Sequence, residues 1–394
     1  MQETTINKWI NSSSLKWARE RMGLKPNEVE DLSKHLDIQI KASSILSWEN
    51  NQGEPQLNEL EILADIYACP VGYFTQDSYL IEEMPLNYRG LAESKIESLS
   101  YQSRLQLRRF VEFTQYLEML TEQLEHPKLY INKYSTDDPV ETIANTERDK
   151  LGISLADRFD MNTSQTLFYT CRRKLGDLGI YVLSLKLNPK EVRGASIWKS
   201  KGPPSILVND ADVEAAAGRI FTLLHEYAHL LFRETGIVCD FRGRDEKTEI
   251  YCNKFAAEML VPKNAFMQYL ESEKLLGSRK WWSDYILDKI RKPFLASRDV
   301  IAILLEEIDL APKGFYLEKA KIWDSYKAWY GKGKLKTGHR RTKFELMRNK
   351  LGDAFTSTII SGHDRGIVSS YDLAELLDTR IEKVDEFLKW ARKT

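Results

Sequence analysis

Apolar residues recur at helical spacing along most of the chain, and three short stretches near its middle break that rhythm. Leu15 to Leu24 reads as a helix with a glycine stop at Gly23, Pro26 to Leu36 as a second with proline early, Ser43 to Glu49 as a third and Asn58 to Tyr67 as a fourth. Ser94 to His126 predicts one long helix. Its apolar stripe is supplied by Leu99, Leu105, Leu107, Phe110, Val111, Phe113, Leu117, Leu120 and Leu124, and Pro127 ends it. Val140 to Leu151 and Thr163 to Leu175 follow as helices. Ile180–Leu185, Ala195–Trp198 and Ser205–Val208 are short and rich in β-formers, and read as strands. Asn209-Asp210 is placed to cap the next helix. Residues 263 to 308 are helical again, and Asp372–Leu377 and Glu382–Ala391 predict two small helices near the end. The expected fold class is α+β, predominantly helical.

The helix after the third strand carries the chemistry. Within the apolar run Phe221 to Phe232 stands His225-Glu226-Tyr227-Ala228-His229, which reads H-E-x-x-H. Histidines at i and i+4 project from one helical face, close enough for both imidazoles to reach one metal. The chain has only 6 histidines. Two polar rings and a carboxylate on an apolar helix are costly to bury without partners. The pattern points to a zinc hydrolase. The bland alternatives are a passive metal site or two satisfied core histidines.

Catalytic zinc usually takes three protein ligands. Glu249 to Leu260 reads as a second amphipathic helix stopping before Pro262, with Glu249 twenty residues beyond His229. Glu258 lies about half a turn round from Glu249 and faces away. Glu249 is the expected third ligand and Glu246, one turn earlier, the runner-up. Asn253, one turn on, is positioned to hold a ligand from behind. Cys239 lies ten residues after His229, within reach of a metal if its loop folds back. A small buried or loop cysteine is the plainer reading of it.

The H-E-x-x-H helix, together with Glu249-x-x-Cys252-Asn253-x-Phe255-Ala256-Ala257-Glu258-x-Leu260-x-Pro262, resembles the ImmA/IrrE-type metallo-endopeptidases. Val192 to Trp198 and Pro204 to Asn209 fit the same pattern, and the likeness runs from about Leu178 to Pro262. The resemblance implies His225, His229 and Glu249 as zinc ligands and Glu226 as general base. Position 227, a tyrosine here, is more often small or aliphatic in that family.

Near the N-terminus, Ile45-x-x-Trp48-Glu49-Asn50 followed by Glu54-Pro55, Leu57, Leu60, Leu63 and Ala64 resembles an XRE/Cro-type helix-turn-helix. Lys41, Ser43 and Ser44 begin its third helix, which implies DNA contact or protein docking through them. Residues 1 to 80 carry 7 Lys/Arg against 12 Asp/Glu, 7 − 12 = −5. An acidic module lacks the phosphate neutralisation behind most non-specific DNA affinity, which favours docking or dimerisation. Arg19, Arg21, Lys25 and Lys41 are the bases from which a local positive face would be built.

The domain reading is therefore 1–80 helix-turn-helix, 81–135 linker with the long helix, 136–312 small-sheet metallopeptidase and 313–394 basic helical region. In the last, Lys332 to Lys350 holds eight bases in nineteen residues and follows Trp323, Tyr326, Trp329 and Tyr330. That stretch is either a solvated loop or a nucleic-acid contact. Overall charge is −1, and the four cysteines are scattered without a CxxC pair. No apolar run approaches a membrane span, and no signal peptide is visible. The expectation is a cytoplasmic zinc endopeptidase without membrane contact. Its partner would be a repressor-like or locally encoded regulatory protein in toxin–antitoxin or phage-related control, and it would form a homodimer if the long helix pairs. The competing expectation is an antitoxin-like or DNA-binding regulator that keeps the peptidase fold for sensing or binding.

Overall fold

A computed structural model describes residues 9–34, 36, 38–75, 99–124, 131–198, 202–211, 216–233, 246–276, 281–330 and 342–393. The chain divides into two compact units, Met1–Glu112 and Phe113–Thr394.

The first unit holds α1 (Ser12–Arg21), α2 (Pro26–Ser33), α3 (Ala42–Glu49), α4 (Leu57–Tyr67), a 3-10 turn (Val71–Thr75) and the start of α5 (Tyr101–Gln123). Asn11 caps α1 by accepting from the Ser13 and Ser14 amides. Pro26 opens α2, where its missing N–H costs nothing. The Glu30 carboxylate of α2 accepts the Ala42 amide and so supplies the cap that Lys41 does not. Leu15, Val29, Ile45, Trp48, Leu60, Leu63 and Phe74 form the core. Within it Arg19 donates to both carboxylate oxygens of Glu49, at 2.6 and 2.8 Å, and to the Leu24 carbonyl at 2.6 Å. Lys41 and Ser43 stand exposed at the start of α3 and Ser44 is half-buried.

The second unit is built around a three-stranded sheet in the order β1-β3-β2: β1 (Tyr181–Leu185), β2 (Gly194–Ile197) and β3 (Ser205–Asn209). β1 runs parallel to β3, with Leu183 opposite Leu207; β2 runs antiparallel to it, with Ala195 opposite Leu207. Before the sheet come α6 (Val140–Leu151) and α7 (Ser164–Asp177). After it come α8 (Ala216–Leu231), α9 (Glu246–Leu260), α10 (Lys263–Ser272), α11 (Asp284–Phe294), α12 (Arg298–Glu307) and α13 (Phe315–Tyr330). The chain closes with α14 (Lys343–Leu351), α15 (Asp353–Asp364), α16 (Ser370–Leu376) and α17 (Val384–Ala391). The fold is thus α+β and predominantly helical. Among the described residues no helix is long and apolar enough to cross a membrane.

One core runs through the second unit, with Leu223, Leu224 and Leu230 of α8 packed among Phe168, Val208, Phe255 and Met259. All fifteen residues from Arg219 to Arg233 are at least half-buried, as expected of a helix enclosed on most sides. The C-terminal helices join the sheet through Arg172 of α7. Its buried guanidinium donates to the Val182 carbonyl of β1 at 2.8 Å and to the Asn349 carbonyl at the end of α14 at 2.6 Å. Gly352 has φ +84°, and a Cβ there would stand 2.7 Å from Arg172 Nη2, so the guanidinium needs glycine beside it.

Asn209 Oδ1 accepts the Ala211 amide at 2.9 Å. The Asn209 side-chain amide also accepts from Leu187 N and donates to the Leu187 and Val192 carbonyls, which fixes the β1–β2 connection. Asp210 pairs with Arg219 of α8. Asp212–Ala215, the rest of the proposed start of that helix, lie outside the described residues. Of the basic stretch only Lys343, Arg348 and Lys350 are described. Lys343 donates to Thr379, Arg348 pairs with Asp353 and Lys350 with Asp378. Trp323 is buried and donates to Asp284, so it is spent on the core.

Candidate metal centre

His225 and His229 lie one turn apart on α8, and both rings are buried with centroids 4.9 Å apart. Glu249, in the first turn of α9, faces them. Its Oε2 is 3.3 Å from His225 Nε2 and its Oε1 3.3 Å from His229 Nε2. The two Nε2 atoms are 3.2 Å apart. Donors arranged tetrahedrally about 2.0–2.1 Å from a zinc ion stand about 3.3 Å from one another, and the two imidazole nitrogens, each with one oxygen of the same carboxylate beside it, have that spacing. Lone pairs converging at such separations repel unless a proton or a cation lies among them. Burial pushes the Glu249 carboxyl upward, but the two imidazoles facing it outweigh this and hold it below the usual carboxylate range. The group therefore favours positive charge at its centre. Two imidazole nitrogens and a carboxylate are also the donor set of many catalytic zinc sites, and these residues fit that metal.

Glu226, next to the first histidine, is fully buried, and among the described residues neither of its carboxylate oxygens has a hydrogen-bond partner. Leaving such a group unpaired is costly, which sets it apart from an ordinary core residue. It faces β2: a Cβ added to Gly194 would lie 2.9 Å from Glu226 Oε1 and 2.5 Å from the Thr222 methyl. Only glycine lets the strand backbone come this close to α8. Tyr227, about 200° round the helix from His225, points the other way and donates to Glu147 of α6 at 2.6 Å. Burial and the neighbouring Glu147 charge raise its phenol well above the ordinary value.

Behind His229 stands Cys252, whose sulfur is 3.6 Å from Nδ1. Asn253, its neighbour on α9, is half-buried, and the contact with His229 is made by the cysteine. Glu258 lies away from the histidines, 3.9 Å from Arg148. The Glu246 side chain and Cys239 fall outside the described residues. Gly194, Cys252 and Glu147 are the site residues to which sequence reasoning assigned no role. The one local signal for Cys252 is its spacing, three residues after Glu249 and so on the same helical face.

Residues 175–278 match the family model of the IrrE N-terminal-like domain, a peptidase family. That stretch contains the whole sheet, α8 and α9. No curated protein and no solved structure matches the chain.

Proposed function

We propose that the chain is a zinc-dependent endopeptidase that hydrolyses a peptide bond in a regulatory protein partner. The observation that carries this reading is the pair His225 Nε2 and His229 Nε2, 3.2 Å apart and each 3.3 Å from one carboxylate oxygen of Glu249, beside the Glu226 carboxylate, which has no hydrogen-bond partner among the described residues. Zinc held there by His225, His229 and Glu249 would acidify an attacking water and polarise the scissile carbonyl. Glu226 takes the proton of that water and delivers it to the departing amine. A fully buried carboxylate without competing hydrogen bonds is suited to both transfers. β2 is an edge strand, and Gly194 brings its backbone against Glu226. An extended peptide adding to that edge would lie across the reacting groups. The N-terminal unit, in this reading a helix-turn-helix, serves to dock the substrate or the peptidase, since its acidic balance opposes phosphate binding. A repressor-like partner encoded nearby is the substrate class that such a docking module suits.

The test combines metal content with turnover on that partner. Purified protein should carry one zinc per chain, Glu249→Gln should lose it, and Glu226→Gln should keep it while cleavage stops. Full occupancy in Glu249→Gln with loss in Glu246→Gln would move the third ligand to Glu246. Unchanged cleavage by Glu226→Gln would remove the proposed base.

A further inference from the structure

His229 is gripped at both ring nitrogens by a single turn of α9. Glu249 Oε1 stands 3.3 Å from its Nε2, and Cys252 Sγ stands 3.6 Å from its Nδ1. Residues three apart share a helical face, so the two contacts come from one rigid surface. Both His229 and Cys252 are fully buried, which puts the contact in a low-dielectric setting. His225 differs: its Nδ1 is buried and has no partner among the described residues.

A neutral imidazole carries its proton on one nitrogen and offers a lone pair from the other. For Nε2 of His229 to present its lone pair to a metal, Nδ1 must carry the proton. A thiol sulfur is a weak acceptor able to receive an N–H at this distance. We infer that Cys252 is a positioning residue: its sulfur accepts the Nδ1–H of His229 and fixes the tautomer in which Nε2 is a ready metal ligand. This rests on the metal reading given above. The partner of a ligand histidine normally is a carboxylate or a carbonyl, and its removal costs 10–100-fold in metal affinity. Sulfur performs that role here with no added charge, leaving Glu249 as the charged donor of the three.

The experiment uses the full chain with ¹⁵N-labelled histidine, in wild type, Cys252→Ala and Cys171→Ala. Cys171 is an equally buried thiol in the core around α7, so its loss controls for packing. Zinc affinity is measured by competition with a chromophoric chelator, and the His229 tautomer by long-range ¹H–¹⁵N correlation in the metal-free protein. Cys252→Ala should bind zinc about 10–100-fold more weakly and shift His229 from the Nδ1–H form to a mixture, while Cys171→Ala leaves both unchanged. Zinc affinity in Cys252→Ala within twofold of wild type, with the tautomer unmoved, would overturn the assignment. Equal weakening in both variants would reduce Cys252 to packing and overturn it too. If the wild type binds no zinc, the metal reading itself falls, and the tautomer readout still reports separately on the contact between Cys252 and His229.

Discussion

Tyr227 Oη donates to Glu147 Oε2 at 2.6 Å, and this bond sets the back of the metal-site helix against α6. Glu147 is fully buried, and its other oxygen accepts from Tyr134 at 2.8 Å and Asn132 at 2.9 Å. The bulky residue at 227 therefore has a built partner, on the face of α8 opposite the histidines. Tyr227→Phe leaves Glu147 Oε2 buried without its donor, and should cost about 1–3 kcal/mol in urea unfolding. Zinc content should not change, because neither residue reaches the metal. An unfolding midpoint identical to wild type would show that the bond carries no stability.

Gly194→Ala should act on turnover and spare the metal. The added Cβ would stand 2.5 Å from the Thr222 methyl and 2.9 Å from Glu226 Oε1, whereas the three ligands lie beyond both. Displacing a catalytic group by about 1 Å can cost about 10²-fold in rate. Cleavage should fall by that order with zinc stoichiometry intact. Adding Thr222→Ser, which removes the nearer methyl, should restore part of it. Loss of zinc in the alanine variant would contradict this division of roles.

Asp288 supplies a pH test remote from the site. The carboxylate accepts from Arg298 at 2.9 Å and from Arg291 at 2.6 Å, joining the end of α11 to the start of α12. The Arg298 hydrogen bond, opposed by burial and helped by Arg291, lowers its pKa from 3.8 to about 2. A depressed carboxyl pKa adds stability that is present above the unfolded value and is lost as pH falls through the folded one. Asp288→Asn should therefore be less stable than wild type at pH 7, by about 1–2 kcal/mol after allowance for solvent screening. The gap should close between pH 4 and about pH 2. A gap independent of pH would assign the effect to packing.

Binding to the DNA upstream of the chain's own gene should be weak and salt-sensitive. Lys41 and Ser43 are exposed at the head of α3, but residues 1 to 80 sum to 7 − 12 = −5. A salt titration with the full chain and with residues 1–112 separates the cases. Tight, sequence-specific binding by residues 1–112 at physiological salt would make this unit an operator reader. Binding confined to the full chain would point to Lys332–Lys350.

Local signals carried much of this structure. The i, i+4 spacing of His225 and His229 is enough to put both rings on one face, and the short runs of β-formers around Val182, Ser196 and Leu207 locate three strands within a residue or so at each end. The long helix is shorter among the described residues than its apolar stripe suggests, Tyr101–Gln123. What the chain order hides is partnership at a distance. Glu147 lies eighty residues before Tyr227, and nothing near it announces a buried acceptor. Asn209, read as a helix cap, also ties the loop after β1 through the Leu187 amide and the Val192 carbonyl. Lys343, Arg348 and Lys350 read as part of a positive patch, but Asp353 of α15 and, in the turn after α16, Asp378 and the Thr379 hydroxyl engage them once the chain is folded.

The Arg172 clasp bears on how such a protein can be inherited. Carbonyls at Asn349 and Lys350 receive a guanidinium rooted in α7, and burial has already drawn that group down to about 10. Severed from α14, the same cation would lose two of its three carbonyl acceptors and keep only Val182, and a buried charge short of partners is destabilising. A gene rearrangement that carries away only residues 175–278 would deliver the three donors without the helices that steady β1. The unit held together by the Arg172 clasp is therefore longer than the stretch that matches the family model, because both Arg172 and α14 lie outside residues 175–278.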